Sequence, residues 1–110
     1  ETPWGRAWTL IESAKNWTLK LLIIKPGEQI SLQFHRHRAE HWFVLQGVAD
    51  VIVEDKERTL MAGQTATVPP LKKHRITNSG LIDVHIMELQ LGSYLNDDDI
   101  TRLQDKYDRI

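Results

Sequence analysis

Histidine, glutamine and glutamate side chains are concentrated in one short stretch of this 110-residue chain, residues 33–42. Side chains alternate along a β-strand, so Gln33, His35 and His37 share one face of the strand that we predict there. Glu40 follows a predicted turn at Arg38-Ala39, and on the next strand it has the same inward parity as Trp42. An amide, an imidazole and a carboxylate can therefore converge inside one domain.

A further side chain can join these three, because His74 follows a predicted turn at Pro69-Pro70. We therefore predict one divalent metal ion, zinc in first place and manganese, cobalt, nickel or iron as alternatives. The four predicted ligands are Gln33, His35, Glu40 and His74. One anionic ligand would leave the ion a good Lewis acid. The two histidines and the glutamate alone would make a set that holds iron(II) for oxygen chemistry, which is an alternative.

Length and composition indicate one globular domain, with 41% hydrophobic and 26% charged residues. The chain has no cysteine, which excludes a disulfide scaffold, a thiolate metal site and a cysteine nucleophile. A net charge of −1 argues against nucleic-acid and membrane-surface partners. The longest aliphatic run, residues 21–24, is too short to span a bilayer, and we find no secretory leader. We expect a cytoplasmic protein.

Short strands separated by turn residues predict an all-β sandwich or barrel. The predicted strands are 8–11, 18–25, 30–35, 42–46, 49–53, 58–61, 65–68, 74–77 and 84–91. Only the C-terminal end has helical spacing, which is that of Ile100, Leu103 and Tyr107. Three aspartates precede these residues and favour the start of a helix. We predict a β-barrel over residues 1–95 and a helix over residues 96–110 that packs on the outside of the same domain.

The spacing of glycines and candidate ligands matches the two cupin motifs. The first motif is formed by Gly27, Gln33, His35, Glu40 and Gly47, with glutamine in place of the usual first histidine. The second is formed by Gly63, Pro69, His74 and Asn78. Leu71 stands where the second motif usually has glycine.

The chain closely resembles one cupin family, the type II mannose-6-phosphate isomerase domain. That domain is commonly the C-terminal part of bifunctional mannose-1-phosphate guanylyltransferase/mannose-6-phosphate isomerases. The residues that carry the resemblance are Pro3-Trp4-Gly5, Lys25-Pro26-Gly27-Glu28, the stretch from Gln33 to Trp42, Lys73-His74-Arg75, Gly92-Ser93-Tyr94-Leu95 and the acidic run that ends at Ile100. The resemblance implies a cupin double-stranded β-helix, a jelly-roll barrel. It also implies a metal-dependent isomerase that interconverts mannose 6-phosphate and fructose 6-phosphate through an enediolate and feeds GDP-mannose and polysaccharide synthesis.

Such an isomerisation needs a base that moves a proton between C1 and C2, stabilisation of the enediolate, and cations that hold the phosphate. Arg38 is the first candidate for substrate binding or charge stabilisation. His37 and Glu88 are the candidate bases, and the sequence does not choose between them. Further candidates for substrate binding are Arg36, Lys73 and Arg75.

Two other functions remain open at this point. The domain can be a non-catalytic sugar-phosphate-binding or dimerising module associated with a guanylyltransferase, or it can be another metal cupin such as an iron-dependent oxygenase. Barrel edges and exposed tryptophans favour pairing of subunits, and cupins often pair in this way. We therefore expect a homodimer whose small-molecule partner is a phosphosugar.

Overall fold

The structure is a computed structural model that describes residues 2–12 and 16–107. Over these residues the chain forms ten β-strands and no helix, so the predicted all-β fold is confirmed and no helix there could cross a membrane. The strands are β1 Gly5–Glu12, β2 Trp17–Ile24, β3 Leu32–Phe34, β4 Arg38–Gln46, β5 Ala49–Val53, β6 Lys56–Leu60, β7 Thr65–Val68, β8 His74–Thr77, β9 Val84–Gly92 and β10 Thr101–Gln104.

The strands are arranged in two antiparallel five-stranded sheets. The first sheet has the order β1-β2-β9-β4-β7, and the second has the order β10-β3-β8-β5-β6. Consecutive strands therefore often lie in different sheets, as in a jelly roll. Each sheet turns one face towards the other, and the side chains between them form the interior.

Part of the interior is an apolar core. In the first sheet Leu22, Ile86 and Val44 lie side by side across β2, β9 and β4, and each is at most 5% exposed. Val51 and Ile76, buried in the second sheet, belong to the same core. Burying each such side chain contributes about 1.5–3 kcal/mol to stability. This core holds the two sheets together next to the polar side chains described below.

The predicted C-terminal helix is wrong over the part of it that the structure describes. Residues 97–98 form a turn, and Thr101–Gln104 form β10, which pairs with β3. Asp99 does not cap a helix, because its carboxylate accepts hydrogen bonds from the backbone N–H groups of Arg36 and His37 at 3.0 and 2.9 Å. These bonds hold the segment against the edge of β3, where a strand satisfies backbone groups that a helix would leave unpaired. Residues 108–110 lie outside the described part of the chain.

The turn between β3 and β4 also differs from the prediction. We expected a turn at residues 38–39, but these residues begin β4, and the chain bends at residues 36–37 instead. The parity of Glu40 is nevertheless as predicted, because Arg38, Glu40 and Trp42 are all buried on the inner face.

Candidate metal centre

A buried cluster of two histidines and one glutamate lies between the two sheets. His35 directly follows β3, His74 begins β8 in the same sheet, and Glu40 comes from β4 in the other sheet. His35 Nε2 lies 3.2 Å from Glu40 Oε2, and His74 Nε2 lies 3.6 Å from Glu40 Oε1. Each of the three residues is at most 3% exposed, and their ligand atoms all lie within 4.8 Å of one another.

Backbone carbonyl groups orient both imidazole rings towards this cluster. His35 Nδ1 donates to the carbonyl oxygen of Asp99 at 2.5 Å, and His74 Nδ1 donates to that of Lys72 at 2.9 Å. A carbonyl oxygen only accepts, so the proton lies on Nδ1 in both rings and Nε2 presents its lone pair to the cluster. His74 Nε2 is buried and has no hydrogen-bond partner.

The protonation of His35 favours the same arrangement. Burial, together with the positive charge of Arg38, lowers the pKa of His35 to about 4. The ring is therefore neutral near pH 7, which is the form that binds metals.

Glu40 is held by two donors on its own strand. Arg38 Nε donates to Glu40 Oε2 at 3.0 Å, and Trp42 Nε1 donates to Oε1 at 3.2 Å. Arg38 Nη2 reaches both Glu40 Oε2 at 2.9 Å and His35 Nε2 at 3.1 Å. A buried carboxylate facing two imidazole nitrogens suits a divalent cation, so the residues present fit the predicted metal.

Gln33, the fourth predicted ligand, lies next to this cluster. It is the register partner of His74 across β3 and β8, and it lines the adjacent cavity. Its Oε1 accepts a hydrogen bond from Ser31 Oγ at 2.7 Å. Ligation by Gln33 therefore stays a prediction.

A cavity of about 260 Å³ opens beside the cluster. Its polar lining includes Lys20, Gln33, His35, Arg38, Glu88 and Arg102. Apolar side chains such as Leu22 and Ile30 complete the wall. Pockets of this kind, mostly apolar with a few polar groups that converge, are typical of small-molecule sites.

Glu88 is the predicted base that the structure brings to this cavity. It is 6% exposed, and Gln90 Nε2 donates to its Oε1 at 2.6 Å. Burial and the negative charge of Glu40 raise the pKa of Glu88, which is the shift expected of a carboxyl group that exchanges protons near neutral pH.

His37, the other predicted base, does not line the cavity. Because the chain bends at residues 36–37, the strand alternation that linked His37 to Gln33 and His35 does not hold there. Its ring is exposed and makes an edge-on contact with Tyr94 at 5.8 Å between centroids.

The three cations predicted for substrate binding also lie elsewhere, since none of Arg36, Lys73 and Arg75 lines the cavity. Arg75 Nε donates to the carbonyl oxygen of Ile30 at 3.0 Å, and its Nη2 donates to that of Gln104 at 3.2 Å. Arg75 thus ties β8 to its neighbouring segments. A substrate-binding role for the three residues stays a prediction.

Three residues of the site were missed by the sequence analysis, namely Asp99, Lys20 and Arg102. Asp99 fixes the turn after His35 with its carboxylate and orients the His35 ring with its carbonyl oxygen. Burial alone raises the pKa of Asp99, but the backbone hydrogen bonds outweigh it and the pKa is lowered. Lys20 could have been noticed because it is a charged residue within the predicted apolar strand 18–25. Arg102 could not be noticed in this way, because we had predicted a helix there.

Leu71 adopts a turn conformation at the position where the second cupin motif usually has glycine. Its φ of 67° is left-handed, and its N–H donates to the carbonyl oxygen of His35 at 2.7 Å. This conformation costs a leucine about 1–2 kcal/mol. The hydrogen bond joins the loop before His74 to His35, the other histidine of the cluster.

Two sheets that enclose a buried His-Glu-His cluster define this chain as a cupin-type double-stranded β-helix with a candidate metal centre. Among solved structures, an uncharacterized conserved protein with a double-stranded β-helix domain from Klebsiella pneumoniae superimposes with a TM-score of 0.80 at 18% identity, covering 96% of this chain and 84% of that one. This likeness concerns the fold alone.

The chain belongs to the family described as Mannose-6-phosphate isomerase C-terminal, which matches residues 1–105. It is 43% identical over 107 residues to the alginate biosynthesis protein AlgA of Pseudomonas aeruginosa, covering 97% of this chain and 22% of that protein. It is 38% identical to a mannose-1-phosphate guanylyltransferase of Klebsiella pneumoniae, with the same coverage. The chain thus spans about a fifth of the length of these relatives.

Proposed function

We propose that this chain is a metal-dependent isomerase that interconverts mannose 6-phosphate and fructose 6-phosphate and so feeds GDP-mannose and polysaccharide synthesis. The observation that carries the proposal is the position of the His35–Glu40–His74 cluster next to a cavity that also contains Glu88 and Arg38. Membership of the isomerase family supports the choice of reaction and of substrate.

The cluster residues would hold a divalent ion through His35 Nε2, His74 Nε2 and a carboxylate oxygen of Glu40, with Gln33 as the fourth proposed ligand. The bound ion would supply a Lewis acid that stabilises negative charge on the oxygens of the sugar at C1 and C2. Zinc remains our first choice. Asp99 and Lys72 keep both rings in the required tautomer.

Glu88 would move the proton. Its carboxylate takes the proton from C2 of the open-chain aldose, and the same carboxyl group returns it to C1 of the enediolate while the proton on O2 passes to O1. Burial raises the pKa of Glu88, which favours its taking up the proton. Arg38 Nη1 is buried without a partner and is available to donate to a substrate oxygen.

The proposal is tested by metal analysis and a coupled isomerase assay on the same preparation. We expect turnover that depends on bound metal, and His35→Ala is expected to lose both the metal and the activity. Glu88→Gln is expected to retain metal and lose at least 100-fold in turnover. His41→Ala is the matched control, because His41 is exposed and absent from the cavity lining.

The other functions make different predictions for the same preparation. Binding of mannose 6-phosphate to fully metal-loaded protein without turnover would identify a non-catalytic module. Oxygen uptake with reduced iron would identify an oxygenase. Either result would replace the isomerase proposal.

We also propose a homodimer that forms through the outer face of the first sheet. Trp8, Leu21, Met87 and Phe43 lie in register across β1, β2, β9 and β4, opposite in parity to the buried residues Leu22 and Trp42. Trp8 and Phe43 are more than 40% exposed. Light scattering after gel filtration should give twice the chain mass, and Phe43→Glu should give a monomer; a monomeric unmodified chain would contradict the proposal.

A further inference from the structure

The cavity beside the candidate metal centre is lined by cations that have no role in the proposed proton transfer. Its lining includes three cations, Lys20, Arg38 and Arg102, and two acids, Glu88 and Asp97. Arg38 is bound to Glu40 of the cluster. Lys20 and Arg102 are left without a role in the chemistry, and cations that line a cleft attract anionic ligands.

Arg102 is placed by β10, the strand that the sequence analysis took for a helix. It is the register partner of Gln33, which is the register partner of His74 on the next strand. Neighbouring side chains on one face of a sheet are about 5 Å apart, so Arg102 lies roughly 10 Å from the cluster. The three side chains form one row on the inner face of the second sheet.

The guanidinium of Arg102 lacks a full set of partners. Its Nε is buried and makes no hydrogen bond, and Arg102 has no ion pair with any acid in residues 2–12 and 16–107. A buried N–H without an acceptor costs free energy, and native proteins normally provide one. A ligand with acceptor oxygens in the cavity would complete the site.

Lys20 reaches the same cavity from the opposite sheet. It lies on β2 in register with Glu88, and its side chain is 18% exposed. Its Nζ contacts Asp97 Oδ1 at 3.4 Å, but the Asp97 side chain is 91% exposed. Such a surface pair contributes little, so the ammonium group can also bind an anion.

We propose that Arg102 and Lys20 form the subsite that binds the phosphate group of the sugar phosphate. The carbon chain of the sugar then extends from this subsite to the His35–Glu40–His74 cluster. An open-chain hexose phosphate has its reactive carbons and its phosphate at opposite ends. This arrangement suits the two strand spacings that separate Arg102 from His74. Arg102 offers the forked donors that match phosphate oxygens, and Lys20 adds a point charge. The identity of the ligand rests on the proposed function.

The test is calorimetric titration of the metal-loaded chain with mannose 6-phosphate, inorganic phosphate and mannose. We expect Arg102→Gln to weaken mannose 6-phosphate binding about 10- to 100-fold, because hydrogen bonds to a charged group are lost. Lys20→Gln should weaken it about tenfold, and Arg102→Lys should weaken it less than Arg102→Gln. The affinity for mannose should stay within about twofold in all variants.

Arg58→Gln and Lys56→Gln are the matched controls, because both residues are exposed on β6 and absent from the lining of this cavity. Each control should bind mannose 6-phosphate like the unmodified chain. The inference is overturned if Arg102→Gln retains full affinity, if the control variants lose as much, or if neither phosphate ligand binds the unmodified chain.

The outcomes separate this subsite from the isomerase proposal. If the unmodified chain isomerises mannose 6-phosphate but Arg102→Gln binds it normally, the subsite is wrong and the reaction stands. If Arg102 is needed for binding but the metal-loaded chain gives no fructose 6-phosphate, the subsite stands and the reaction is wrong. Circular dichroism of each variant verifies that the fold is intact.

Discussion

Two rows of side chains on the inner face of the first sheet differ in chemistry although they are equally enclosed. One row is apolar and consists of Leu22, Ile86 and Val44. The other is polar and consists of Thr18, Gln90 and Glu40. The rows lie on the same three strands, four residues apart, and all six residues are at most 6% exposed.

The comparison separates stability from function within one scaffold. The apolar row buries hydrocarbon and stabilises the fold. The polar row leaves buried atoms without partners, including Gln90 Oε1 and, nearby, His74 Nε2 and Arg38 Nη1. Such atoms destabilise a folded protein unless something else binds them. Folding alone leaves these atoms unpaired, whereas the ligands that we propose would satisfy them.

The largest expected effect follows from Glu40→Gln. Removal of this carboxylate should weaken metal binding more than 100-fold, since the only anionic group of the cluster is lost. It also leaves Arg38 buried without its counter-charge, which should destabilise the chelated protein by about 3 kcal/mol. Metal titration and urea unfolding with chelator measure the two effects.

The double variant Glu40→Gln with Arg38→Met is the control for that experiment. It should regain most of the lost stability because no buried charge remains unpaired, but it should not regain the metal. Recovery of metal binding in the double variant would show that Glu40 is not a ligand.

Truncation of a side chain in the apolar row should lower the stability of the fold and leave metal affinity unchanged. Ile86→Ala leaves a cavity in the core and should reduce the free energy of unfolding by about 2–5 kcal/mol. The molecules that remain folded should bind metal as the unmodified chain does. A loss of metal affinity beyond about threefold would mean that the two rows are not separable.

Mild acid should destabilise the metal-free protein through His35, which lies in the polar region. The pKa of His35 is about 4 in the folded chain and about 6.5 in the unfolded chain, so between these values the unfolded state binds more protons. The free energy of unfolding should thus fall as the pH drops from about 6.5 towards 4, by roughly 2 kcal/mol at pH 5.

Urea titrations with chelator between pH 4 and 7 would measure this dependence. His35→Gln should remove most of the slope. An unchanged slope in that variant would assign the acid sensitivity to another group.

The smallest expected effect is that of Asp99→Asn, which removes the negative charge that anchors the turn after His35. Metal affinity should fall about tenfold, because the groups behind a ligand fix its orientation. Asp98→Asn, which alters the exposed partner of Tyr94, is the control and should bind metal normally. Equal affinity in both variants would show that the side chain of Asp99 is dispensable.

Most of the strands could be predicted because their signals are local. Alternation and turn residues predicted the bounds of β5, β7 and β8. The spacing of the two motifs predicted that His35, Glu40 and His74 lie close together. The C-terminal segment could not be predicted in this way. Its aspartates suit a helix start when only neighbours in sequence are considered, whereas in the protein Asp99 binds residues more than 60 positions away.

The amino-acid sequence by itself determined the all-β class, the family and the kinds of ligand atoms, since these follow from residue type, period and spacing. Only the tertiary structure decided which cations reach the cavity and which base faces it. A two-residue shift of the turn before β4 and the pairing of β10 with β3 turned His37 outward and placed Arg102 in the cavity. Such choices depend on unpaired strand edges that meet only after the chain has folded.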